Sequence, residues 1–225
     1  MFRIGVLTST LLLFLAPTAA AEPPNLSDVK DQVVAYHDSG AYLADLTTAT
    51  RPALAWLAEQ APRVARPAVV FDIDETSLSN WEGLSANDFG RIGAGPCDAL
   101  PQGPCGLVAW TQLARSTVIE PTLAVYQEAR KDGVTVFFIT GRDESMRDAT
   151  VRNLADAGYT DYAELVLQPL GSHPPSAMDY KAPQRARIEA EGYTIIANLG
   201  DQPSDLAGGH AQRTYLLPNP FYRIP

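Results

Sequence analysis

Residues 68–71 read Ala-Val-Val-Phe without a polar interruption, and the run ends directly on Asp-Ile-Asp-Glu-Thr at 72–76. An all-apolar stretch of this length, without the alternation of a half-wet strand, predicts a strand buried on both faces. The pattern returns at 134–142 (VTVFFITGR), 163–169 (AELVLQP) and 193–201 (YTIIANLGD), and RTYLLP at 213–218 predicts an additional edge strand. Between these runs the apolar residues fall at helical spacing. Residues 27–60 predict two or three helices, with a break near Ser39-Gly40 and, in the three-helix version, another at Pro52. Further helices are expected over 121–131, stopped by Gly133, over 144–157, ended by Gly158, and over 186–191. Strands alternating with helices of this length imply βαβ crossovers, so the expected fold class is α/β with a largely parallel sheet.

Polar residues cluster where these strands stop. Asp72 and Asp74 follow the first, Thr140, Gly141 and Arg142 the second, and Asp201 the fourth. Open parallel sheets bind ligands outside their carboxyl ends, so residues far apart in sequence are expected to meet in one crevice. Two aspartates one residue apart on a regular strand would share a face and repel. They make sense if the chain leaves strand geometry after Asp72 and both carboxylates face a cation. Asp72, Asp201 and backbone carbonyl form an oxygen-only donor set, which favours Mg²⁺ over zinc or copper. Thr140 and the Gly141 amide suit phosphate oxygens, and Lys181 can supply a positive point charge.

Composition narrows the setting. The formal net charge is −9 and no basic run interrupts it, which argues against a nucleic-acid polymer as partner. The first stretch carries Arg3, an apolar run from Ile4 to Leu15 and an Ala19-x-Ala21 end. These are the parts of a secretory signal peptide cut after Ala21. The remaining residues, 22–225, suit one domain, secreted or periplasmic and free of the membrane after cleavage. The two cysteines, Cys97 and Cys105, both lie in GAGPCDALPQGPC. In an exported chain they predict a disulfide closing a short loop, with unlinked thiols as the alternative.

The motifs also match a family in order and spacing. DIDET at 72–76, the apolar run into TGR at 137–142, YK at 180–181 and GDQPSD at 200–205 resemble the four motifs of the haloacid dehalogenase (HAD) superfamily. TGRDESMRDATVRNLADAGY, YKAPQR and the ending LPNPFYRIP resemble the acid phosphatases of that superfamily, subfamily IIIB, alongside class B and C enzymes and plant vegetative storage proteins. The resemblance implies a Rossmann-like three-layer α/β/α domain with a small cap-like insertion, about 79–115, after the first strand. It implies a phosphomonoesterase in which Asp72 is the nucleophile and Asp74 the general acid/base, while Thr140, Gly141 and Lys181 hold the phosphoryl group. Mg²⁺ would take the Asp72 carboxylate, the Asp74 backbone carbonyl and Asp201, with Asp205 behind that shell and Arg142 a possible substrate contact.

Plainer roles stand beside these. An aspartate after a strand often caps a helix or turn, and a lysine is usually a solvated surface group. His37, His173 and His210 fall outside every motif and read as structural or exposed. Trp81 and Trp110 flank the insertion, where packing or stacking on a substrate ring are both open. Two functional alternatives share the fold: a storage or phosphate-binding protein without turnover, and a phosphotransferase passing the phosphoryl group to an alcohol.

Overall fold

The computed structural model describes residues 22–224, so the expected signal peptide at 1–21 lies outside the described residues. Two helices come first, α1 (Leu26–Asp38) and α2 (Ala41–Gln60). They separate where Gly40 takes φ +82°, a left-handed conformation that glycine adopts without a Cβ clash. The second break does not occur, because Pro52 sits inside α2. A proline there removes a backbone donor at a cost of about 3 kcal/mol. Ala53 and Leu57, on the next turns, are fully buried in the main core, and that packing keeps the helix continuous.

Strand β1 (Pro67–Phe71) follows, and a short antiparallel ribbon then frames the insertion: β2 (Leu78–Ser79) pairs with β3 (Thr117–Val118). Within the insertion, α3 (Trp81–Ala86) and α4 (Leu107–Leu113) flank an irregular stretch in which Cys97 and Cys105 are disulfide-bonded. Trp110 packs buried against that disulfide. Trp81 instead stacks on His37, ring centroids 3.6 Å apart. The chain continues through α5 (Glu120–Lys131), β4 (Thr135–Asp143), α6 (Arg147–Asp156), β5 (Glu164–Gln168), α7 (Ala177–Ala190), β6 (Thr194–Gly200), α8 (Pro203–Leu206) and β7 (Arg213–Leu216).

Helix α7 begins nine residues before the expected start at Ala186. Its cap explains the difference: the Ser176 hydroxyl accepts from the Asp179 amide and bonds the Asp179 carboxylate, fixing a first turn. Pro183 lies inside the helix and masks it in the sequence. Tyr180, Lys181, Arg185 and Ile188 all point into the protein, so tertiary contacts hold the turn around the proline.

The main sheet has the order β5-β4-β1-β6-β7, and all its pairings are parallel. Alternate residues of the buried strands serve opposite layers. Val69, Phe71, Val136 and Phe138 face the core shared with α2, α5 and α6. Ala68, Val70, Phe137 and Ile139 face the layer under α7. Strand β1 is central, with β4 on one side and β6 on the other, so the chain order reverses there. The carboxyl ends of these three strands open on the crevice that such a reversal creates. Among the described residues no helix is long and apolar enough to cross a membrane.

Candidate active site

The two aspartates after β1 are separated by a residue that the core claims. Ile73 is fully buried among the main-core side chains, while Asp72 and Asp74 both line the cavity outside the sheet. The chain reaches this geometry by curling around one carbonyl. Ile73 O accepts from the amides of Thr76, Ser77 and Leu78, and Glu75 takes φ +53°. Regular pleating would have sent Asp72 and Asp74 to one strand face; the curl turns them into a shared pocket instead.

Lys181 approaches from α7. Its ammonium lies 2.5 Å from Asp72 Oδ1 and 2.7 Å from Asp205 Oδ1, with only 4% of the residue exposed. Asp72, Asp201 and Asp205 each bring a carboxylate oxygen within 4.8 Å of the others, and all three are buried. Asp201 is oriented by Thr76 (3.1 Å), Gln202 (2.5 Å) and Asn219 (2.7 Å). Both oxygens of Asp205 are engaged, one by Lys181 and one by the Gln202 amide at 3.0 Å. Asp72 Oδ2 accepts from no donor among the described residues.

Charge does not balance in this cluster. Burial pushes Asp72 well above the usual carboxylate range; Lys181 pulls it back, and Asp205 and Asp201 push it up again. Asp201 rises for the same reasons, burial and then the Asp205 charge. Burial would lower Lys181, but Asp72 and Asp205 outweigh it and keep the ammonium charged. Three buried carboxylates facing one ammonium need further positive charge, since unpaired buried ions cost several kcal/mol each. An all-oxygen cluster of this size fits a hard divalent cation.

Asp74 is treated differently. Arg142, at the end of β4, grips it with Nη2 at 2.6 Å and Nε at 3.2 Å from both oxygens, and Asn80 Nδ2 donates at 2.9 Å. Burial would raise this carboxyl, yet Arg142 and Asn80 together hold it below its ordinary range. Arg142 also donates to the Thr150 hydroxyl at 3.1 Å and is 2% exposed. Its guanidinium is thus committed to Asp74 and Thr150. Thr140 is fully buried, and its hydroxyl accepts from the Arg142 amide at 3.1 Å. Gly141 is exposed on the cavity, where the β4–β5 pairing skips from Ile139 to Asp143. Its backbone is therefore free of the sheet ladder.

Asp72, Asp74, Gly141, Arg142, Lys181, Asp201 and Asp205 line a cavity of about 480 Å³, while Thr140 lies buried beside Gly141 and outside that lining. The insertion supplies one wall through Leu84, Ile92, Leu107 and Trp110, and the β5–α7 loop supplies another through Pro174 and Pro175. The chain's ending closes a third side. Asn219 reaches Asp201, and the Tyr222 hydroxyl donates to Glu75 Oε2 at 2.5 Å. Glu75, Asn80, Asn219 and Tyr222 have no role in the sequence reading. Glu75 belongs to the DIDET run and Asn219 and Tyr222 to the LPNPFYRIP ending, so their segments were visible although their contacts were not. Arg185, from the YKAPQR segment, is also buried, and its guanidinium donates to the carbonyls of Asp205, Ala207 and Gly209. It pins the short helix α8, which carries Asp205, and the loop that follows it.

Comparison with known proteins places the chain in a family. The profile of the family described as HAD superfamily, subfamily IIIB (Acid phosphatase), matches residues 14–225. The chain belongs to that family. Among curated relatives, acid phosphatase 1 of Solanum lycopersicum is 37% identical over 160 residues, covering 71% of this chain and 60% of the relative. Vegetative storage protein 1 of Arabidopsis thaliana is 32% identical over 157 residues, covering 69% and 55% respectively. The chain therefore spans somewhat over half the length of these relatives. Among solved structures, the class C acid phosphatase of Bacillus anthracis superposes with a TM-score of 0.68 at 19% identity, over 88% of this chain and 86% of that one. That likeness shows the shared fold, a parallel sheet flanked by helices. Another structure of a class C acid phosphatase from Bacillus anthracis has tungstate bound.

Proposed function

We propose that this family member is a secreted, Mg²⁺-dependent acid phosphatase that hydrolyses small phosphomonoesters through an aspartyl-phosphate on Asp72. The observation that carries the reading is the state of Asp72. One of its oxygens is held 2.5 Å from the Lys181 ammonium, the other has no donor among the described residues, and the residue lines the cavity. A carboxylate attacks an anionic phosphate only where charge is neutralised, and Lys181 stands where it would do so. Mg²⁺, held by Asp72, Asp201 and the Asp74 backbone carbonyl with Asp205 behind them, would neutralise the phosphoryl oxygens further. Gly141, on the cavity wall, and Thr140, buried beside it, would hold the phosphoryl group.

The steps balance over two half-reactions. A lone pair of Asp72 Oδ2 forms a bond to phosphorus as the bond to the leaving oxygen breaks, and that oxygen takes a proton from Asp74. Asp74, again a carboxylate beside Arg142, then removes a proton from water as the water oxygen attacks phosphorus. The Asp72–phosphorus bond breaks, inorganic phosphate leaves, and both aspartates return to their starting forms.

Arg142 and Asn80 favour the ionised form of Asp74, so the proton it delivers has to be supplied at low pH. A phosphomonoester carries its own proton below its second pKa of about 6, which supports an optimum on the acid side. The reading of residues 1–21 as a signal peptide and of 22–225 as the exported domain belongs to the same proposal. A storage role without turnover has no supporting feature in the site, where Asp72 and its lysine are both in place. The test is hydrolysis of p-nitrophenyl phosphate by Asp72→Asn beside the unaltered protein. Activity at background in the variant supports the assignment, and full activity refutes it.

A further inference from the structure

Asn80 sits where the insertion meets the catalytic loop, and each polar atom of its side chain is used. The residue is 3% exposed. Its Oδ1 accepts from the Trp110 indole N–H at 2.8 Å and from the Ser116 hydroxyl at 2.8 Å. Its Nδ2 donates to Asp74 Oδ1 at 2.9 Å and to Glu75 Oε2 at 3.1 Å, and its backbone amide donates to Glu75 Oε1 at 2.6 Å.

The chemistry of the partners fixes which way the amide faces. An indole N–H only donates, and an ionised carboxylate only accepts. The atom toward Trp110 is therefore the oxygen, and the atom toward Asp74 the nitrogen. Trp110 lies on α4 and packs against the disulfide of the insertion. The fold of the insertion is thus carried by one hydrogen-bonded side chain to the carboxylate of Asp74. Arg142 holds Asp74 through β4, its Nη2 donating to the same oxygen, Oδ1, that Asn80 reaches. The carboxylate is held by a charged donor on the sheet and a neutral donor on the insertion.

The geometry points to Asn80 as a positioning residue that aims Asp74 at the leaving-group oxygen and couples that aim to the placement of the insertion. The inference rests on the reading of Asp74 as general acid given above. Its consequence is specific to the leaving group. An alkyl oxygen is a strong base and needs its proton as the bond to phosphorus breaks, whereas p-nitrophenolate departs without one. A misaimed acid therefore slows alkyl esters selectively. A merely structural defect slows both classes alike.

The experiment compares kcat/KM for p-nitrophenyl phosphate and for an alkyl phosphate such as glycerol 2-phosphate. The proteins are the unaltered chain, Asn80→Ala and Asp74→Asn, each with Mg²⁺. Asn80→Ala is expected to lose about tenfold or more on the alkyl ester and less than about threefold on the aryl ester, a weaker copy of the pattern in Asp74→Asn. If Asn80→Ala does not fold, the double variant Trp110→Phe/Ser116→Ala carries the test. It keeps Asn80 but removes both donors that orient the amide, and the same selectivity is expected. Equal losses on the two esters, or none, overturn the inference while leaving the phosphatase reading intact. An unaltered protein without turnover of either ester, or an Asp74→Asn protein without discrimination, overturns both together.

Discussion

The ammonium of Lys181 lies 2.5 Å from an oxygen of Asp72, a residue 109 positions earlier in the chain, and both groups are buried. Helix α7 and strand β1 are joined at this point by charge. Removing one partner of a buried pair leaves the other uncompensated, at a cost of about 3–5 kcal/mol. Lys181→Met is therefore expected to unfold at a clearly lower denaturant midpoint than the unaltered protein. Hydrolysis should fall by about 10²-fold or more, because the phosphoryl charge loses its fixed counter-charge. Urea titration and steady-state kinetics on the same preparation check both. A variant of unchanged stability and rate would show that the ammonium is not needed there.

A metal held by the buried carboxylates should stabilise the folded chain, since the unfolded chain has no such cluster. At a free Mg²⁺ concentration about 100 times its dissociation constant the gain is about 2.7 kcal/mol. Melting in MgCl₂ should therefore occur several degrees above melting in EDTA. Asp201→Asn should lose most of that difference, because it removes a ligand charge from the trio. A melting temperature indifferent to both additions would count against the site.

Glu75 predicts a pH dependence of stability. Burial, and then the charge of Asp74, push its carboxyl up to about 8 from the ordinary 4.5. Between those two values the folded protein keeps a proton on Glu75 that the unfolded chain has already released. Stability therefore falls as pH rises through that window, and the loss is complete above the folded value. Each unit of difference is worth about 1.4 kcal/mol, so the whole effect is on the order of a few kcal/mol. Glu75→Gln keeps a neutral group of the same shape. In chelator, its stability relative to the unaltered protein should be flat below about pH 4.5 and improve steadily toward pH 8. Parallel curves would contradict this.

Much of the frame was legible because buried strands advertise themselves. Runs such as Val69–Phe71 and Val136–Ile139 carry no polar residue, and the aspartates and the TGR segment mark where each strand stops. Legibility failed where a contact across the fold overrules a local signal. The three-helix version breaks at Pro52, and the helix expected over 186–191 starts only past Pro183, yet buried faces on either side carry the helices through both prolines. Arg142 reads in the sequence as a possible substrate contact, and its neighbours there give no hint that Asp74 takes its guanidinium. Asn80, Asn219 and Tyr222 reach the site's carboxylates at Asp74, Asp201 and Glu75, which lie 6, 18 and 147 residues away, separations no periodicity reports.

The central claim is that a phosphoryl group passes through Asp72. Its most direct measurement is to quench the protein with acid during turnover of a phosphomonoester in Mg²⁺, digest it, and map any phosphorylated residue by mass spectrometry. The expected result is a phosphoryl group on Asp72, within the peptide containing DIDET, and none in Asp72→Asn. A phosphoryl group on a histidine or serine instead, or undiminished turnover by Asp72→Asn, would contradict it.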